Sequence, residues 1–509
     1  MTGSSTEESK PRAGRRRPWE ILALLGIATL AGWLRLRDLD LVEFKADEAI
    51  AVDLARRVLD GDFLTVGLMS SIGAYNPPLF VYLLAIPLAV RNDPLAATAF
   101  VGMLAVAAVT LTYVVLRPRF GALVALGAAA LFATAPWAVL YGRKLWGQSV
   151  LPVVAVALLW SMFAVLERPR SRAVVFIPIL LCLAFQLNFS ALALAIPATV
   201  LMLYRAREVH WRAFVAGIGV ATLLLAPWLS HQVGNGFADV SALLSGAPGE
   251  AGSYPESGPF DAIRQSVRLV GVGDWEYVTA DSMPSFVTDA GPTWKVARGA
   301  SLVGATLFVA GLVTCVLCIF RGIRASRRWP WPELGPGGAS RALLLVWLVG
   351  VWLVYATPAT DRLYPHYLII TFPVSFAVQA LALADLVGAV RVGLRHVATI
   401  GAIATLVVMS AGYTAFTLSF QRFLDDVGGT AGDYGVVYRD KAELASVVRA
   451  RGLRVADEPV IDFLVTGDLN TPPGAPPLVT VRDRMHNDAP PCAGELRSFG
   501  VLSACLPAP

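Results

Sequence analysis

A chain whose apolar stretches run for about 20 residues has few folds open to it, because that is the length a helix needs to cross a bilayer. Such stretches fall at about residues 19–37, 94–116, 120–140, 149–166, 173–188, 190–204, 213–231, 297–320, 341–356, 365–387 and 396–418. In hydrocarbon every backbone N–H and C=O must be satisfied within the structure, so each stretch is expected as a helix. One further apolar run, Leu79 to Val90, would reach only ~18 Å at ~1.5 Å per residue. It is expected to lie re-entrant or along the interface rather than to cross.

Charge placement supports this division. With the N-terminus inside and residues 79–90 left uncrossed, one side receives every dense basic loop: Arg117 and Arg119; Arg168, Arg170 and Arg172; Arg205, Arg207 and Arg212; Arg321, Arg324, Arg327 and Arg328; Arg391 and Arg395. That is the positive-inside pattern, and counting residues 79–90 as a span would reverse it. The expected fold is therefore an all-α polytopic membrane protein with eleven spans. The formal charge of +5 does not indicate a nucleic-acid partner, because the basic residues serve orientation instead of forming a binding stripe. With 56% hydrophobic and 16% charged residues, the chain also departs from the roughly 25% charge of soluble domains.

Residues 1–18 read as a disordered cytoplasmic tail. The run from Trp19 to Leu34 follows Arg15-Arg16-Arg17 without a small-residue cleavage site, so it is expected to remain as a helix. Residues 19–419 form the membrane domain, with outer segments at 38–93 and 231–295. Residues 420–509 are expected as a small outer α/β domain, with a helix near Lys441 to Arg451 and β-type runs near Val460–Thr466 and Leu478–Val481. An amphipathic helix is expected from Phe260 to Val272. Cys315 and Cys318 form a C-x-x-C inside a span with no histidine nearby, which argues against a metal or redox site. Cys492 and Cys505 lie in the outer tail and are expected to pair.

The first outer segment holds Phe44-Lys45-Ala46-Asp47-Glu48-Ala49-Ile50, opening a helical pattern with Ile50, Leu54 and Val58 on one face and Gly61 as its stop. Asp47 and Glu48 could simply complement the helix dipole. Downstream come Tyr75-Asn76-Pro77-Pro78-Leu79-Phe80, Pro136-Trp137 and Tyr141-Gly142-Arg143-Lys144-Leu145-Trp146-Gly147-Gln148. In this order the chain resembles the GT-C superfamily of membrane glycosyltransferases, and especially glycosyltransferase family 39, over about residues 19–205.

That resemblance implies a polyprenyl-phosphate-sugar donor and a lipid, glycan or protein acceptor on the outer face of a bacterial cytoplasmic membrane. It implies an inverting transfer with Asp47 as general base and Glu48 assisting, and donor-phosphate contacts from Arg143 and Lys144. The later segment Asp361-Arg362-Leu363-Tyr364-Pro365-His366-Tyr367-Leu368 resembles the family's phosphate-binding stretch, which adds Arg362, His366 and Tyr367. An interfacial belt of Arg and Tyr explains the same residues. Tyr75, Asn76, Gln148 and Asn188 are the expected substrate contacts; Gln186 and Asn188 are equally served by a helix-to-helix hydrogen bond. Family members often carry Lys or His where this chain has Asn76, and an acidic residue where it has Gln148. Without that second carboxylate, no obligatory metal is expected. The competing reading is a lipid or solute transporter, or a non-catalytic assembly protein of the same fold.

Overall fold

The computed structural model describes residues 17–507 apart from 71–72, 169, 246–256, 327–333, 357–362, 470–477, 484, 486–491 and 493. Residues 1–16, most of the expected tail, lie outside the described residues.

Among the described residues, eight helices are long and apolar enough to span a membrane, and three shorter apolar helices accompany them. One of the eight, Pro94–Thr134, has 41 residues, about twice what a bilayer needs. It contains Gly121 at φ +83°, a left-handed backbone that glycine adopts without steric cost. The chain reverses there. Tyr113 and Arg117 meet Glu20 at one end of the first helix, Pro18–Leu36, while Arg35 at its other end reaches the carbonyls of Phe132 and Ala133. The runs expected at 94–116 and 120–140 are therefore two antiparallel arms. Arg172–Leu187 and Phe189–Tyr204 form a further short pair, and eleven crossings result. Leu79–Val90 is a separate helix of 12 residues.

The two ends of the bundle differ. Glu20 pairs with Arg117, Arg119 with Glu167 at 2.6 Å, and the Arg170 N–H donates to the Glu208 carbonyl, so the basic loops gather at one end. At the centre runs Phe372–Ala389, buried at every position from Phe372 to Leu383. Phe132 stacks on Phe376 at 5.5 Å beside it. Small residues and flat rings allow this close approach where lipid offers no hydrophobic incentive to associate.

The last long helix, Arg395–Val427, continues well past the bilayer and stops at Gly428. Beyond it come the helices Tyr438–Ala450 and Pro459–Thr466 and a four-stranded sheet. In the sheet Arg454–Val455 pairs parallel with Leu478–Asp483, followed by Leu502–Leu506 and Glu495–Phe499 in antiparallel order. A second core gathers there, including Leu444, Ile461, Val479 and Leu506, and Cys492 bonds to Cys505. The run 460–466, expected as β, is helical. Pro459 supplies a preset first turn and Gly467, at φ +86°, a left-handed stop.

Candidate active site

Three connecting segments and two helix junctions build the site. The first segment enters the helix Ala46–Leu59. Here the Lys45 backbone N–H donates to Glu48 Oε2 at 2.9 Å, satisfying an orphan donor at the helix start. Glu48 is thus wholly buried and faces its own backbone, while Asp47 beside it is open. The face packed into the protein carries Ala49, Ala51, Val52 and Ala55, and Ile50, on the apolar face expected from the sequence, is 38% exposed. Alanines let this helix lie close to Leu79–Val90.

Pro136 ends one helical arm, and the short helix Pro136–Tyr141 delivers the turn that carries Arg143, Lys144 and Trp146. The helix Gly147–Glu167 then begins against the end of the helix reaching Leu187. A Cβ at Gly147 would run into the Leu187 carbonyl. Glycine at that spot brings Gln148 beside Gln186 and Asn188.

These junctions enclose a cavity of about 190 Å³, lined by Asp47, Asn76, Gln148, Asn188, His366 and Tyr367, together with Trp146, Gln186 and Tyr364. Its volume equals about six water molecules at roughly 30 Å³ each. The lining is neutral and aromatic except for Asp47. Asn76 donates through Nδ2 to the Leu68 carbonyl at 3.1 Å, and among the described residues its buried Oδ1 finds no partner. The buried Trp146 indole N–H and His366 Nδ1 likewise find none among the described residues. Their rings meet edge to face at 4.9 Å, and His366 also stacks on Tyr364 at 5.4 Å. Hydrogen-bonding atoms left open in this way suit a ligand rich in hydroxyls.

Behind Trp146 lies a network of four charges. Lys144 Nζ sits 2.5 Å from Glu43, 3.2 Å from Asp433 and 4.0 Å above the Trp146 ring. Lys45 Nζ lies 3.3 Å from Asp433 Oδ1 and 3.6 Å from Glu43, and also donates to the Asp433 carbonyl. Burial alone lowers the Lys144 ammonium, but Glu43 and Asp433 overturn that and hold it up. Burial raises Asp433, and Lys144, Lys45 and the Tyr277 hydroxyl outweigh it, so the carboxyl is held down. At Asp47 burial dominates and Glu43 and Asp433 add to it. Lys45 and Lys144 oppose, and the carboxyl is pushed above its ordinary range.

Asp433 joins the three segments. Its N–H donates to the Tyr277 carbonyl at 2.9 Å, the Tyr434 hydroxyl donates to the Leu41 carbonyl at 2.6 Å, and Lys441 Nζ donates to the Phe44 carbonyl at 2.7 Å.

The structure therefore brings together Asp47, Asn76, Gln148, Asn188, His366 and Tyr367, and sets the other expected residues apart. Arg143 donates to the carbonyls of Leu34, Arg37 and Asp38 at 2.7–3.1 Å. With Arg35 it neutralises the carbonyl end of the first helix, and it does not line the cavity that holds Asp47. Lys144 is clamped by Glu43 and Asp433, with only 3% of its side chain exposed. Glu48 caps its own helix. Tyr75 lies off the cavity; its N–H donates to Asp239 and its carbonyl accepts from Trp228. Arg362 lies outside the described residues. Sequence reasoning gave no role to Glu43, Lys45, Trp146, Tyr277 or Asp433. Lys45 and Glu43 flank the acidic pair and could have been suspected. Asp433 stands 289 residues from Lys144 and carries no local signal.

No group of three or more His, Cys, Asp or Glu side chains gathers to hold a metal among the described residues. Glu43 and Asp433 are taken by the ammonium groups of Lys144 and Lys45, a donor set that does not fit a divalent ion.

Residues 75–231 match a family model described as dolichyl-phosphate-mannose-protein mannosyltransferase. No curated protein matches the chain. Among solved structures it is similar to ArnT from Cupriavidus metallidurans bound to undecaprenyl phosphate, at TM-score 0.58 and 12% identity, covering 91% of this chain and 85% of that one. The apo state of the same protein gives 0.57 at the same identity and coverage. The Archaeoglobus fulgidus oligosaccharyltransferase in the apo form gives 0.45 at 13% identity, over 85% of this chain and 58% of that one.

Proposed function

We propose that this chain, which has the GT-C fold, transfers a sugar from a polyprenyl-phosphate-linked donor to an acceptor hydroxyl or amine on the outer face of a bacterial cytoplasmic membrane. The observation that carries this reading is Asp47: a carboxyl pushed upward, open to a cavity of neutral polar and aromatic groups sized for one sugar ring. An acceptor O–H gives its proton to Asp47 as its oxygen bonds to the anomeric carbon. The bond from that carbon to the phosphate oxygen breaks, and its electron pair leaves with the polyprenyl phosphate. Attack from the face opposite the phosphate inverts the anomeric centre. A phosphate needs no general acid to depart, so a single carboxylate suffices, and it also faces the oxocarbenium-like charge of the transition state.

Trp146, Asn76, Gln148, Asn188 and His366 hold the sugar in this scheme. The lipid tail runs along Leu79–Val90, whose Ile86 and Val90 are exposed and whose Phe80 and Val81 line the cavity. Lys45, one-third exposed on its side chain, and Arg362 are the cations assigned to the phosphate; Arg143 is withdrawn from that role. A transporter of the inverted-repeat kind would place its site near the bilayer midplane, whereas this cavity lies at one end of the bundle among the connecting segments.

The test is Asp47→Asn in purified protein supplied with a radiolabelled polyprenyl-phosphate-sugar. The expected loss is ~10²–10⁴ in turnover, the usual contribution of a positioned base. A correctly inserted variant that transfers sugar at the normal rate overturns the assignment.

A further inference from the structure

One buried carboxylate outside the charged network has no part in the scheme above. Asp239, in the helix Ala238–Ser245, is 4% exposed. Its Oδ1 accepts the Tyr75 backbone N–H at 3.1 Å. Its Oδ2 accepts from Gln232 Nε2 at 2.5 Å and lies 3.3 Å from His231 Nε2. The Tyr75 carbonyl is held as well, by the Trp228 indole N–H at 3.0 Å, and the Tyr75 ring meets His231 edge to face at 6.1 Å. Both backbone groups of one residue are thus fastened to the end of the helix Trp211–Gly234 and the turn after it.

What is fastened is a wall of the cavity. Tyr75 precedes Asn76, whose N–H donates to the Leu68 carbonyl at 2.9 Å while its own carbonyl accepts from Gly67 at 2.7 Å. Met69 bridges Tyr75, and the Ser70 N–H donates to the Ala74 carbonyl at 2.8 Å. Residues 67–70 and 74–76 therefore form one paired strip. Gly67, Leu68, Met69, Ser70 and Asn76 from that strip line the same cavity as Trp146 and His366, and the Asn76 Oδ1, without a partner among the described residues, belongs to it. The strip's own pairing fixes its shape but not its distance from Asp47. The anchor at Tyr75 supplies that second constraint.

We infer that Asp239 is a positioning residue: by holding Tyr75 it sets Asn76 and the strip 67–70 at the distance from Asp47 that seats the transferred sugar. The inference rests on the transferase reading for its kinetic consequence alone, since the anchoring itself is independent of what the cavity binds. Asp239 is not among the residues that line the cavity and reaches them through Tyr75.

Asp239→Ala removes the acceptor, and Asp239→Asn keeps Oδ1 for the Tyr75 N–H. The new amide nitrogen of Asp239→Asn can face Gln232 Oε1, buried without a partner among the described residues, once the Gln232 amide turns over. Two readouts on purified full-length protein decide the matter. Hydrogen–deuterium exchange should speed up in peptides covering residues 67–76 in Asp239→Ala and, to a smaller extent, in Trp228→Phe, with the spanning helices unchanged and Asp239→Asn like the parent. With a polyprenyl-phosphate-sugar, KM in Asp239→Ala should rise about tenfold while kcat falls less, as expected for a displaced seat and an intact base. Unchanged exchange at 67–76 overturns the inference. So does exchange that rises throughout the bundle, which would make Asp239 a general fold residue. If the parent protein transfers no sugar from any such donor, the transferase reading fails, and the exchange comparison still decides the role of Asp239.

Discussion

Lys144 is the residue whose removal tests the charged network most directly. At 2.5 Å from Glu43 and an effective dielectric of about 20, the gross attraction is roughly 6–7 kcal/mol, most of it offset by the cost of drying both ions. Side-chain exposure is 3% for Lys144 and 1% for Glu43, so Lys144→Met strands a carboxylate with little water to turn to. Breaking a buried pair from one side costs about 3–5 kcal/mol. Lys45 remains 3.6 Å from Glu43, which places the expected loss near the lower end, about 3 kcal/mol. Glu43→Gln leaves Lys144 with Asp433 at 3.2 Å and should cost less, roughly 2 kcal/mol. The double variant removes both charges, and a methionine fits beneath Trp146 in place of the lysine stem. It should lose no more than Lys144→Met alone, a coupling of about 2 kcal/mol between the sites. Reversible unfolding in mixed micelles, followed by tryptophan fluorescence, measures all three variants. Strict additivity of the two single losses would refute the claim that this buried pair helps tie residues 38–93 to the turn after Tyr141.

Other outcomes follow from the same geometry. Because the proposed base must be deprotonated, activity should fall as pH drops through the Asp47 pKa, on a limb above the ordinary carboxylate range. Lys45 opposes the rise and Glu43 adds to it, so Lys45→Met should move that limb to higher pH and Glu43→Gln to lower pH, read from kcat/KM profiles. Arg143→Met should reduce the yield of folded, inserted protein, since the buried Leu34 carbonyl loses a charged donor at about 1–3 kcal/mol and the part-buried carbonyls of Arg37 and Asp38 lose theirs as well. Protein that does fold should bind donor phosphate as the parent does; a selective loss of donor affinity would return Arg143 to the site. Gly147→Ala should push the start of its helix away from Leu187 and raise KM for the donor, checked by competition with unlabelled polyprenyl phosphate. Replacing Cys492 and Cys505 by serine opens a loop closed over 13 residues and should destabilise the region after Val427 by about 3 kcal/mol, measured by limited proteolysis.

What the sequence determined on its own was governed by one-dimensional physics. Runs of about 20 apolar residues must become helices in lipid, and charge parity then decided which connections share an end. This is why Leu79–Val90 could be separated from the longer runs; that Asp47, Asn76, Gln148, Asn188, His366 and Tyr367 belong to one site was implied by the resemblance to glycosyltransferase family 39, not by hydropathy or charge. The sequence could not distinguish neighbours on one helix turn: Asp47 faces the cavity and Glu48 its own backbone, a difference of about 100° of helical rotation. Nor could it tell a phosphate-binding arginine from one that closes a helix end, because Arg143 meets carbonyls of a segment about a hundred residues earlier. Tertiary structure alone decided that Lys144 answers to Glu43 and Asp433. A buried charge takes whatever counter-charge the fold carries to it, and Asp433 arrives from beyond the last spanning helix.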